Sequence, residues 1–489
     1  MMMQYMVAPP PRGVVLSTTS LCPLTMSSSC PHFALVASAG MGHVNPMTCL
    51  AASLSSYGCE VTFIYAEPTV SLSESAHISK LLSLFPRIQP LVLPLVEFKP
   101  SDPAMDPFLL RFEAIIRSAH HLPSLLCSRR PPITALVVDI SVAYAYIPIA
   151  KQLNIPCYIL FISTALMLSV CAFFSTSCCE GRCGGGAIDI PGLWTIPVSS
   201  LPSPLRDPNH QFTKQFVENG RRLHEADGIL VATFHALEPE ALAALNGGRV
   251  APGLPPTVAI GPQRRFDRQK SPSPPLAWLD QQPTQSVLYV SFGNRTAMSR
   301  EQIKELGAGL DRSQCRFLWV LKTKIVDKDE GGEELEELLG EGYIESLKGR
   351  GLVVNGWVEQ EEVLSHRAVG GFLNHCGSNS VFEAASAGVR MLGWASVGDQ
   401  RVNAEVVRRS GLGIWMEEWG WGEVVVSGEE IGKKVREMME DEELKLSAKR
   451  LGEEAAKAIG VGGSSRKGLE DFIKKAAAAS ASASASPHG

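Results

Sequence analysis

Short apolar runs alternate along the chain with longer segments in which apolar residues recur every three or four positions. In the first half the runs fall at Phe33–Ala37, Val61–Tyr65, Leu136–Val138, Cys157–Ile162, Gly228–Thr233 and Val258–Ile260. Runs that are apolar throughout are typical of parallel strands that are buried on both faces. Strand–helix alternation of this kind predicts a parallel sheet covered by helices.

The same alternation restarts in the second half, after a charged and proline-rich stretch. The apolar runs there fall at Ser286–Ser291, Arg316–Leu321, Gly351–Asn355 and Val369–Leu373. The pattern predicts an α/β protein with two similar domains, residues 31–262 and 278–459, joined by a linker over residues 263–277. Ligands of open α/β sheets bind beyond the carboxyl ends of the strands, so the expected site is a cleft between two facing sheets.

The two ends of the chain do not continue this pattern. Residues 1–30 are rich in Met, Pro, Ser and Thr, and they lack both a basic start and an uninterrupted apolar segment. A disordered extension is therefore expected there, rather than a secretory signal. Residues 476–489 form an Ala/Ser repeat and are also expected to be disordered.

One uncharged stretch, Ile155–Phe174, is close to the length of a membrane-spanning helix. However, Pro156 interrupts its start, and Ser163–Thr164 divides it into two unlike halves. A buried strand at Cys157–Ile162 and a short helix at Ala165–Phe174, capped by the Ser-Thr pair, are predicted instead. Stable membrane insertion is not expected.

Composition is that of a globular protein, and it argues against a nucleic-acid partner. The 489 residues are 45% apolar and 19% charged, with a formal net charge of −5 and no sustained basic patch. The twelve cysteines have mixed spacings, and neither a His nor a second CxxC pair completes a zinc pattern around Cys178, Cys179 and Cys183. Reduced thiols in a cytoplasmic enzyme are expected.

Residues with distinct chemistry are concentrated in 44 positions of the second half. They run from Trp357-Val358-Glu-Gln360 through His375-Cys-Gly377-Ser378-Asn379-Ser380 and Glu383 to Asp399-Gln400. Their order and spacing resemble the plant secondary product glycosyltransferase (PSPG) box of family 1 plant UDP-dependent glycosyltransferases. The resemblance extends from about His32 to Phe472.

The resemblance implies a GT-B fold, in which two Rossmann-like domains face each other across a cleft. It implies that the first domain binds the acceptor, that the second binds the UDP-sugar, and that a C-terminal helix at residues 460–475 packs back toward the first. A Gln at position 400 is usual for glucose-type donors, so UDP-glucose is the expected co-substrate. Neither a cofactor nor a metal is expected.

The residues expected to bind the nucleoside and the sugar have suitable chemistry. Trp357 follows a strand and offers uracil a flat apolar face. Gln360 and Glu383 suit the hydroxyls of a ribose, because the amide both donates and accepts and the carboxylate accepts. In the family, the residues matching Asp399 and Gln400 bind hydroxyls of the transferred sugar.

Two loops are expected to bind the diphosphate. The turn from His375 to Ser380 is predicted to precede a helix beginning near Val381, so it presents backbone N–H groups where a helix N-terminus favours an anion. The loop that contains Ser291, Gly293 and Asn294 supplies a second set of N–H groups.

The candidate base lies in the loop Gly40–His43, which follows a strand and opens a helix. Asn45 stands where a dinucleotide fingerprint would have its third glycine, so a Rossmann cofactor site is not favoured. In the family the residue at His43 is the general base, and a neutral imidazole there can accept the proton of a phenol. Asp139 matches the aspartate that orients this base; the alternative is an N-cap for the following helix.

The resemblance implies a direct displacement at the anomeric carbon with inversion. His43 removes a proton from the acceptor, the acceptor attacks, and UDP leaves. Charge that develops on UDP is expected to be stabilised by Ser291, His375, Ser380 and the helix terminus, so the reaction needs no metal. The enzyme is expected to be a monomer.

The acceptor is expected to be a flavonoid-like phenol. Gly42, Phe108 and Phe112 are candidates for its pocket, although single phenylalanines are more often core residues. The sequence around residues 106–120, together with Gly398–Asn403, resembles the branch that forms C-glycosides, of the 2-hydroxyflavanone or dihydrochalcone type. An O-glucosyltransferase of small phenolics stays open, because both reactions need nearly the same machinery.

Three residues depart from the family pattern. Ser378 stands where a Trp is usual, and Arg390 and Ser396 replace prolines. Ser378 keeps the backbone N–H but loses the packing of an indole. An unpaired Arg390 in a buried strand would be costly. A weakened or non-catalytic relative that binds UDP-sugar is therefore the remaining alternative.

Overall fold

Two parallel sheets form the framework of the molecule. The computed structural model describes residues 30–99, 106–177, 186–267, 273–293, 298–322, 335–340, 342–347, 349–356, 358–421 and 424–484. Its strands are β1 His32–Val36, β2 Glu60–Ala66, β3 Ile88–Leu93, β4 Ala135–Asp139, β5 Cys157–Phe161, β6 Ala187–Asp189, β7 Thr195–Pro197, β8 Gly228–Val231, β9 Thr257–Ala259, β10 Val287–Ser291, β11 Arg316–Leu321, β12 Gly351–Asn355, β13 Val369–Asn374, β14 Arg390–Gly393 and β15 Gly413–Trp415.

Helices connect successive strands of these sheets. They are α1 Met41–Ser56, α2 Leu72–Leu84, α3 Pro107–Arg117, α4 Leu122–Cys127, α5 Ala143–Gln152, α6 Ala165–Ser177, α7 Gln211–Arg222, α8 Pro239–Asn246, α9 Pro274–Asp280, α10 Arg300–Ser313, α11 Leu335–Leu339, α12 Tyr343–Ser346, α13 Gln360–Leu364, α14 Ser378–Ala387, α15 Gln400–Arg409, α16 Gly428–Glu440, α17 Glu442–Ile459 and α18 Ser464–Ser484.

The first sheet has the strand order β3-β2-β1-β4-β5-β8-β9, and all its pairs are parallel. The direction of chain progression reverses between β1 and β4, where Val36 is the register partner of Val138. Open α/β sheets bind ligands at such a switch point, beyond the carboxyl ends of the strands. The segments that follow β1 and β4 are therefore expected to meet at the cleft.

The second sheet has the order β12-β11-β10-β13-β14-β15 and is also parallel throughout. Its direction reverses between β10 and β13, where Ser291 is the partner of Asn374. The two loops predicted to bind the diphosphate follow these two strands. The predicted fold class, an α/β molecule built on two parallel sheets, is confirmed.

The uncharged stretch that was compared with a spanning helix divides as predicted. Its first part is the fully buried strand β5, and its second part is α6, which starts directly after Ser163–Thr164. Within the described ranges, no helix is both long and apolar enough to cross a membrane.

Strand β3 was not predicted from the sequence. It carries Pro90 in its interior, a residue that argues against a central strand because it has no N–H to donate. The strand lies at the edge of the first sheet, where one side of the ladder has no partner strand. Position in the sheet, which the local sequence does not encode, therefore makes the proline acceptable.

The C-terminal helix packs on the first sheet. The Phe472 ring lies 5.2 Å from that of Phe33 and 4.8 Å from that of Tyr158. The prediction that disorder begins at residue 476 is wrong, since α18 continues to Ser484 and Ala476 is fully buried. Alanine is the best helix former, so an Ala/Ser repeat extends a helix that packing has already started. Of the predicted extension over residues 1–30, residues 1–29 lie outside the described residues.

Candidate active site

His43 and Asp139 form a hydrogen-bonded pair at the switch point of the first sheet. His43 lies in the first turn of α1, after β1, and Asp139 is the last residue of β4. The His43 Nδ1 atom is 3.0 Å from Asp139 Oδ2 and 3.2 Å from Oδ1. The imidazole is 18% exposed whereas the carboxylate is fully buried, so only the histidine can be reached from the cleft.

Asp139 also acts as an N-cap, which was the alternative interpretation of this residue. Its Oδ1 accepts hydrogen bonds from the backbone N–H of Ser141 at 2.8 Å and from the Ser141 hydroxyl at 2.5 Å, which caps the 3₁₀ turn Ile140–Val142. Burial raises the pKa of Asp139, but the charge and hydrogen bond of His43, with the Ser141 bonds, outweigh burial and lower the pKa below its ordinary value. The ionised carboxylate holds the proton on Nδ1 and leaves Nε2 as the basic nitrogen.

Two phenylalanines of α3 pack beside the histidine. The His43 ring centroid is 5.6 Å from that of Phe108 and 5.1 Å from that of Phe112, and the two phenylalanine rings are 4.3 Å apart. Phe112 is 5% exposed, so it is largely a core residue, whereas Phe108 is partly exposed. The two phenylalanine rings form an aromatic wall next to the candidate base.

Gly40 allows this wall to approach the loop before α1. Its φ is +87°, and a Cβ atom on it would lie 2.4 Å from Phe108 Cε2. Only glycine has no side chain to clash there and adopts this backbone conformation readily. The sequence pattern indicated a glycine-rich loop, but it did not reveal which aromatic ring the glycine accommodates.

The diphosphate loop after β13 is shaped by Asn374, a residue that sequence analysis missed. Its Nδ2 donates to the backbone oxygen of Ser291 at 2.7 Å, and its Oδ1 accepts from the N–H of Cys376 at 2.7 Å. Cys376 has a φ of +63°, which is uncommon outside glycine. Asn374 therefore ties the ends of β10 and β13 together and holds the turn in shape.

Helix α14 begins at Ser378, three residues before the predicted start near Val381, with Gly377 as its N-cap. Ser378, Asn379 and Ser380 thus form the first helical turn rather than a loop. Their backbone N–H groups are among those that an α-helix leaves without internal acceptors. An anion at this end would also be stabilised by the helix dipole.

His375 is held between two glycines. A Cβ atom would lie 2.8 Å from its Nε2 if placed on Gly293, and 2.7 Å from the same atom if placed on Gly377. Burial lowers the pKa of His375 to about 4, so the ring is neutral at pH 7. Its Nδ1 is buried and has no hydrogen-bond partner within the described residues. The residue can therefore contribute a donor to the loop, but not a positive charge.

Gln360 and Glu383 meet beside the first two turns of α14. The Gln360 Nε2 atom donates to Glu383 Oε2 at 2.7 Å and to Ser380 Oγ at 2.9 Å. Burial raises the pKa of Glu383 to about 7, and the hydrogen bond from Gln360 opposes that rise only in part. Val358 is half-buried and packs against the core. Trp357 and Asn294, which were also predicted donor residues, lie outside the described residues.

Asp399 and Gln400 lie at the start of α15. The Gln400 Oε1 atom accepts from the backbone N–H groups of Ser396 at 2.9 Å and Val397 at 3.0 Å. Asp399 accepts a hydrogen bond from the Ser163 hydroxyl, which belongs to the segment after β5 in the first half. Sequence analysis missed Ser163, because its partner is 236 positions away.

Further polar contacts cross the cleft. Asn379 Nδ2 donates to the backbone oxygen of Gly42 at 3.3 Å, and the Ser378 hydroxyl donates to the backbone oxygen of Ile162 at 3.2 Å. Fully buried Asn403 accepts from the Thr164 hydroxyl at 2.9 Å. The loop with His43 and the start of α14 are therefore next to each other.

The three departures from the family pattern are accommodated. Arg390 is 3% exposed but not unpaired, because its Nε donates to the Gly370 oxygen and its Nη1 to the Asp441 oxygen, both at 2.9 Å. The Asp441 carbonyl lies at the C-terminal end of α16, where a cation is favoured. Ser396 supplies an N–H to Gln400 that a proline would lack. Ser378 retains a polar contact across the cleft.

Among the residues that the structure describes, no group of three or more His, Cys, Asp or Glu side chains could hold a metal ion. The cysteines that were considered for a zinc pattern, Cys178, Cys179 and Cys183, are outside the described residues.

The fold and the site define a glycosyltransferase of the GT-B class, and comparison with known proteins identifies the family. The profile described as UDP-glucoronosyl and UDP-glucosyl transferase matches residues 262–453. The chain is 50% identical over 453 residues to UDP-glycosyltransferase CGT of Oryza sativa subsp. indica, covering 91% of this chain and 96% of that protein. It is 48% identical over 458 residues to UDP-glycosyltransferase 708G2 of Citrus unshiu, with coverage of 91% and 96%.

The crystal structure of LpCGTa in complex with UDP has the same fold, with a TM-score of 0.82 and 45% identity, covering 92% of this chain and 99% of that one. The chain belongs to the UDP-glycosyltransferase family. The predicted family, fold class and enzyme class are therefore confirmed.

Proposed function

We propose that this UDP-glycosyltransferase transfers glucose from UDP-glucose to a flavonoid-like phenol, with inversion and without a metal, and that it forms a C-glucoside. The observation that carries the proposal is the 3.0 Å contact between His43 Nδ1 and Asp139 Oδ2, which leaves Nε2 free at the cleft. The aromatic wall of Phe108 and Phe112 beside it suits a planar phenolic ring.

The acceptor reaction begins with proton transfer. His43 Nε2 takes the proton of a phenolic hydroxyl, and buried Asp139 stabilises the imidazolium that forms. The phenolate carries electron density on the ring carbon next to its oxygen. That carbon attacks the anomeric carbon, and the attacking carbon then releases its hydrogen as a proton to solvent, which restores the aromatic ring. Attack by the phenolate oxygen instead would give an O-glucoside.

Departure of UDP balances this attack. As the new bond forms, the bond between the anomeric carbon and the diphosphate oxygen breaks, and UDP takes the electron pair. The negative charge would be stabilised by the backbone N–H groups in the first turn of α14, the Ser380 hydroxyl and neutral His375. Ser291, at the end of β10, is the register partner of Asn374, and a Cβ atom on Gly293 would lie 2.8 Å from His375 Nε2, so both residues are next to the same loop. We propose that the reaction therefore proceeds without a metal ion.

Recognition of the donor is assigned to the remaining box residues. Gln360 and Glu383 would bind the ribose hydroxyls, since their polar atoms already meet at 2.7 Å. Asp399 and Gln400 would bind hydroxyls of the sugar, and the two backbone bonds to Gln400 Oε1 fix the orientation of its amide. Trp357 is assigned to uracil by resemblance.

The two domains are proposed to bind different substrates. Residues 31–262 would bind the acceptor and residues 278–459 the donor, with residues 263–277 between them and the helix at 460–475 returning to the first domain. The packing of Phe472 on Phe33 supports that return. A monomeric, cytoplasmic enzyme stays a prediction.

The proposal is tested by incubating the full chain with UDP-glucose and phloretin and analysing products by mass spectrometry before and after acid hydrolysis. We expect a hexoside that survives acid, because a C–C bond to the sugar is not hydrolysed. An acid-labile hexoside would replace the C-transfer proposal with O-transfer. Absence of turnover across phenolic acceptors, with UDP still bound, would overturn the enzymatic proposal. A parallel reaction with EDTA is expected to run at the same rate.

A further inference from the structure

The segment Arg265–Asp267 is anchored on α2 in the first half of the molecule. The Phe266 ring lies 5.1 Å from the ring of His77 and 6.1 Å from that of Phe85. Asp267, whose side chain is 2% exposed, accepts from Lys80 Nζ at 2.7 Å. An aromatic contact and a largely buried ion pair therefore fix this segment in place.

Arg265 extends from this anchor to the second half of the molecule. Its Nε and Nη2 donate to the two carboxylate oxygens of Asp267, at 2.9 and 2.7 Å, and its Nη1 donates to Glu359. Its backbone N–H also points to Glu361 Oε2, at 3.4 Å. The side chain is 15% exposed. The two-pronged contact with Asp267 fixes the plane of the guanidinium, and with it the direction of the third contact.

The two glutamates that Arg265 contacts flank Gln360 in the sequence. Gln360 in turn donates to Glu383, so side-chain contacts, together with the backbone of residues 359–361, link α2 to the carboxylate assigned to the ribose. Arg265 is therefore connected to the nucleoside end of the cleft through one short, partly buried chain of contacts.

Arg265 is also the cation among several acidic groups. Glu383 experiences the negative charges of Glu359 and Glu361, which raise its pKa, and the positive charge of Arg265, which lowers it. The other groups that face it are the hydrogen-bonded amide of Gln360 and hydroxyl-bearing or thiol side chains that are uncharged at pH 7, namely Ser380, Cys49 and Tyr289. Loss of the guanidinium would remove a positive charge that favours the ionised form of Glu383.

We propose that Arg265 is a positioning residue for the nucleotide, which holds Gln360 against Glu383 in the geometry that receives the ribose. The proposal rests on the proposed roles of Gln360 and Glu383 in donor binding. Arg265 acts through these two residues, so its loss affects the affinity for UDP rather than the chemical step. Loss of Arg265 also makes the affinity for UDP more dependent on pH, because the carboxylate that accepts the ribose hydroxyls has to be ionised.

The test compares Arg265→Gln with Arg265→Lys in the full chain. Calorimetry gives the Kd of UDP at pH 6.0 and 8.5, and initial rates give kcat and the KM for UDP-glucose. For Arg265→Gln we expect Kd and KM to rise roughly tenfold at pH 8.5 and by a clearly larger factor at pH 6.0, with kcat at saturating donor within about twofold. Arg265→Lys keeps the positive charge but loses the two-pronged contact with Asp267. It is therefore expected to have the wild-type pH dependence but only part of the wild-type affinity for UDP.

Arg466→Gln is the matched control. Arg466 has 19% exposure and pairs with Glu470 at 2.9 Å on α18, away from the donor loops, so its loss removes an ion pair of similar exposure. Its Kd for UDP is expected to match that of the wild-type chain. If Arg265→Gln binds UDP like this control at both pH values, or loses affinity equally at both, the inference is overturned. If Arg265→Gln does not fold, Arg265→Lys decides, because a Kd for UDP equal to that of the wild-type chain at both pH values would overturn the inference.

A Glu383→Ala variant separates this inference from the proposed function. If Glu383→Ala loses UDP affinity while Arg265→Gln does not, only the role of Arg265 fails. If Glu383→Ala binds UDP with wild-type affinity, the proposed ribose site fails, and the role of Arg265 fails with it.

Discussion

His43 Nδ1 lies 3.0 Å from Asp139 Oδ2, although the two residues are 96 positions apart. The contact follows from the sheet, because β1 and β4 are paired in register and each residue lies close to the end of one of these strands. A buried, ionised carboxylate against a partly exposed imidazole is an arrangement that favours proton uptake on the opposite ring nitrogen.

Asp139→Asn is expected to lower kcat by about 10²-fold or more with little change in the KM for UDP-glucose, since a neutral amide does not stabilise the imidazolium. Steady-state rates with saturating phenol measure the effect. Ser141→Ala, which removes only the 2.5 Å hydroxyl contact to Asp139, is expected to have a much smaller effect. An Asn variant with the wild-type kcat would show that the carboxylate does not support the base.

Glu383→Gln is expected to stabilise the fold while it weakens UDP binding. Burial raises the pKa of Glu383 from 4.5 to about 7. The free energy of unfolding therefore falls as the pH rises from 4.5 to about 7, and it stays lowered at higher pH. Glutamine avoids that decrease. Thermal unfolding should therefore give the variant a higher Tm at pH 8 and an unchanged Tm at pH 4. If the difference in Tm between Glu383→Gln and the wild-type chain grew toward acid pH, it would contradict the raised pKa of Glu383.

Gly40→Ala is expected to destabilise the chain by about 1–3 kcal/mol, because its Cβ would clash with Phe108 and its φ of +87° disfavours an L side chain. Urea unfolding followed by circular dichroism measures the change. Gly42→Ala is the matched comparison, since nothing lies within 4 Å of a Cβ there and its φ is not positive. Equal stability of the two variants would rule out the close approach of the Phe108 ring to Gly40.

Arg390→Leu is expected to cost about 1–3 kcal/mol of unfolding free energy, since it removes the donors to the buried Gly370 carbonyl and to the partly buried Asp441 carbonyl. Urea unfolding tests this, and kcat should stay near the wild-type value because the residue supports α16 rather than the cleft. Arg87→Gln removes an ion pair from an arginine side chain that is 61% exposed, and it is expected to change stability by less than about 1 kcal/mol. A gain in stability for Arg390→Leu would contradict the account.

The framework and most of the site could be predicted from the sequence because their signals are local. Apolar runs identify buried parallel strands, and the box from position 357 to position 400 has a fixed order. Asn374, Ser163 and Arg265 could not be found in this way. Each acts through a partner on another strand or across the cleft, and a lone Asn, Ser or Arg in a loop has no distinguishing pattern.

Local signals also failed where packing overrides them. The start of α14 at Ser378 was missed because serine and asparagine are weak helix formers, although they suit a first turn. The Ala/Ser tail was expected to be disordered from its low complexity, but burial of Ala476 against the first sheet extends the helix. Arg390 could not be predicted as satisfied, because its two acceptors lie 20 and 51 positions away.

The most direct test of the central claim compares glucoside formation by the wild-type chain and by His43→Ala, with UDP-glucose and phloretin, alongside calorimetric UDP binding. The account predicts that the rate falls by about 10²-fold or more while the Kd of UDP stays within about twofold, because His43 acts on the acceptor and not on the nucleotide. A His43→Ala variant that forms glucoside at the wild-type rate would contradict the assignment of the base and the mechanism built on it.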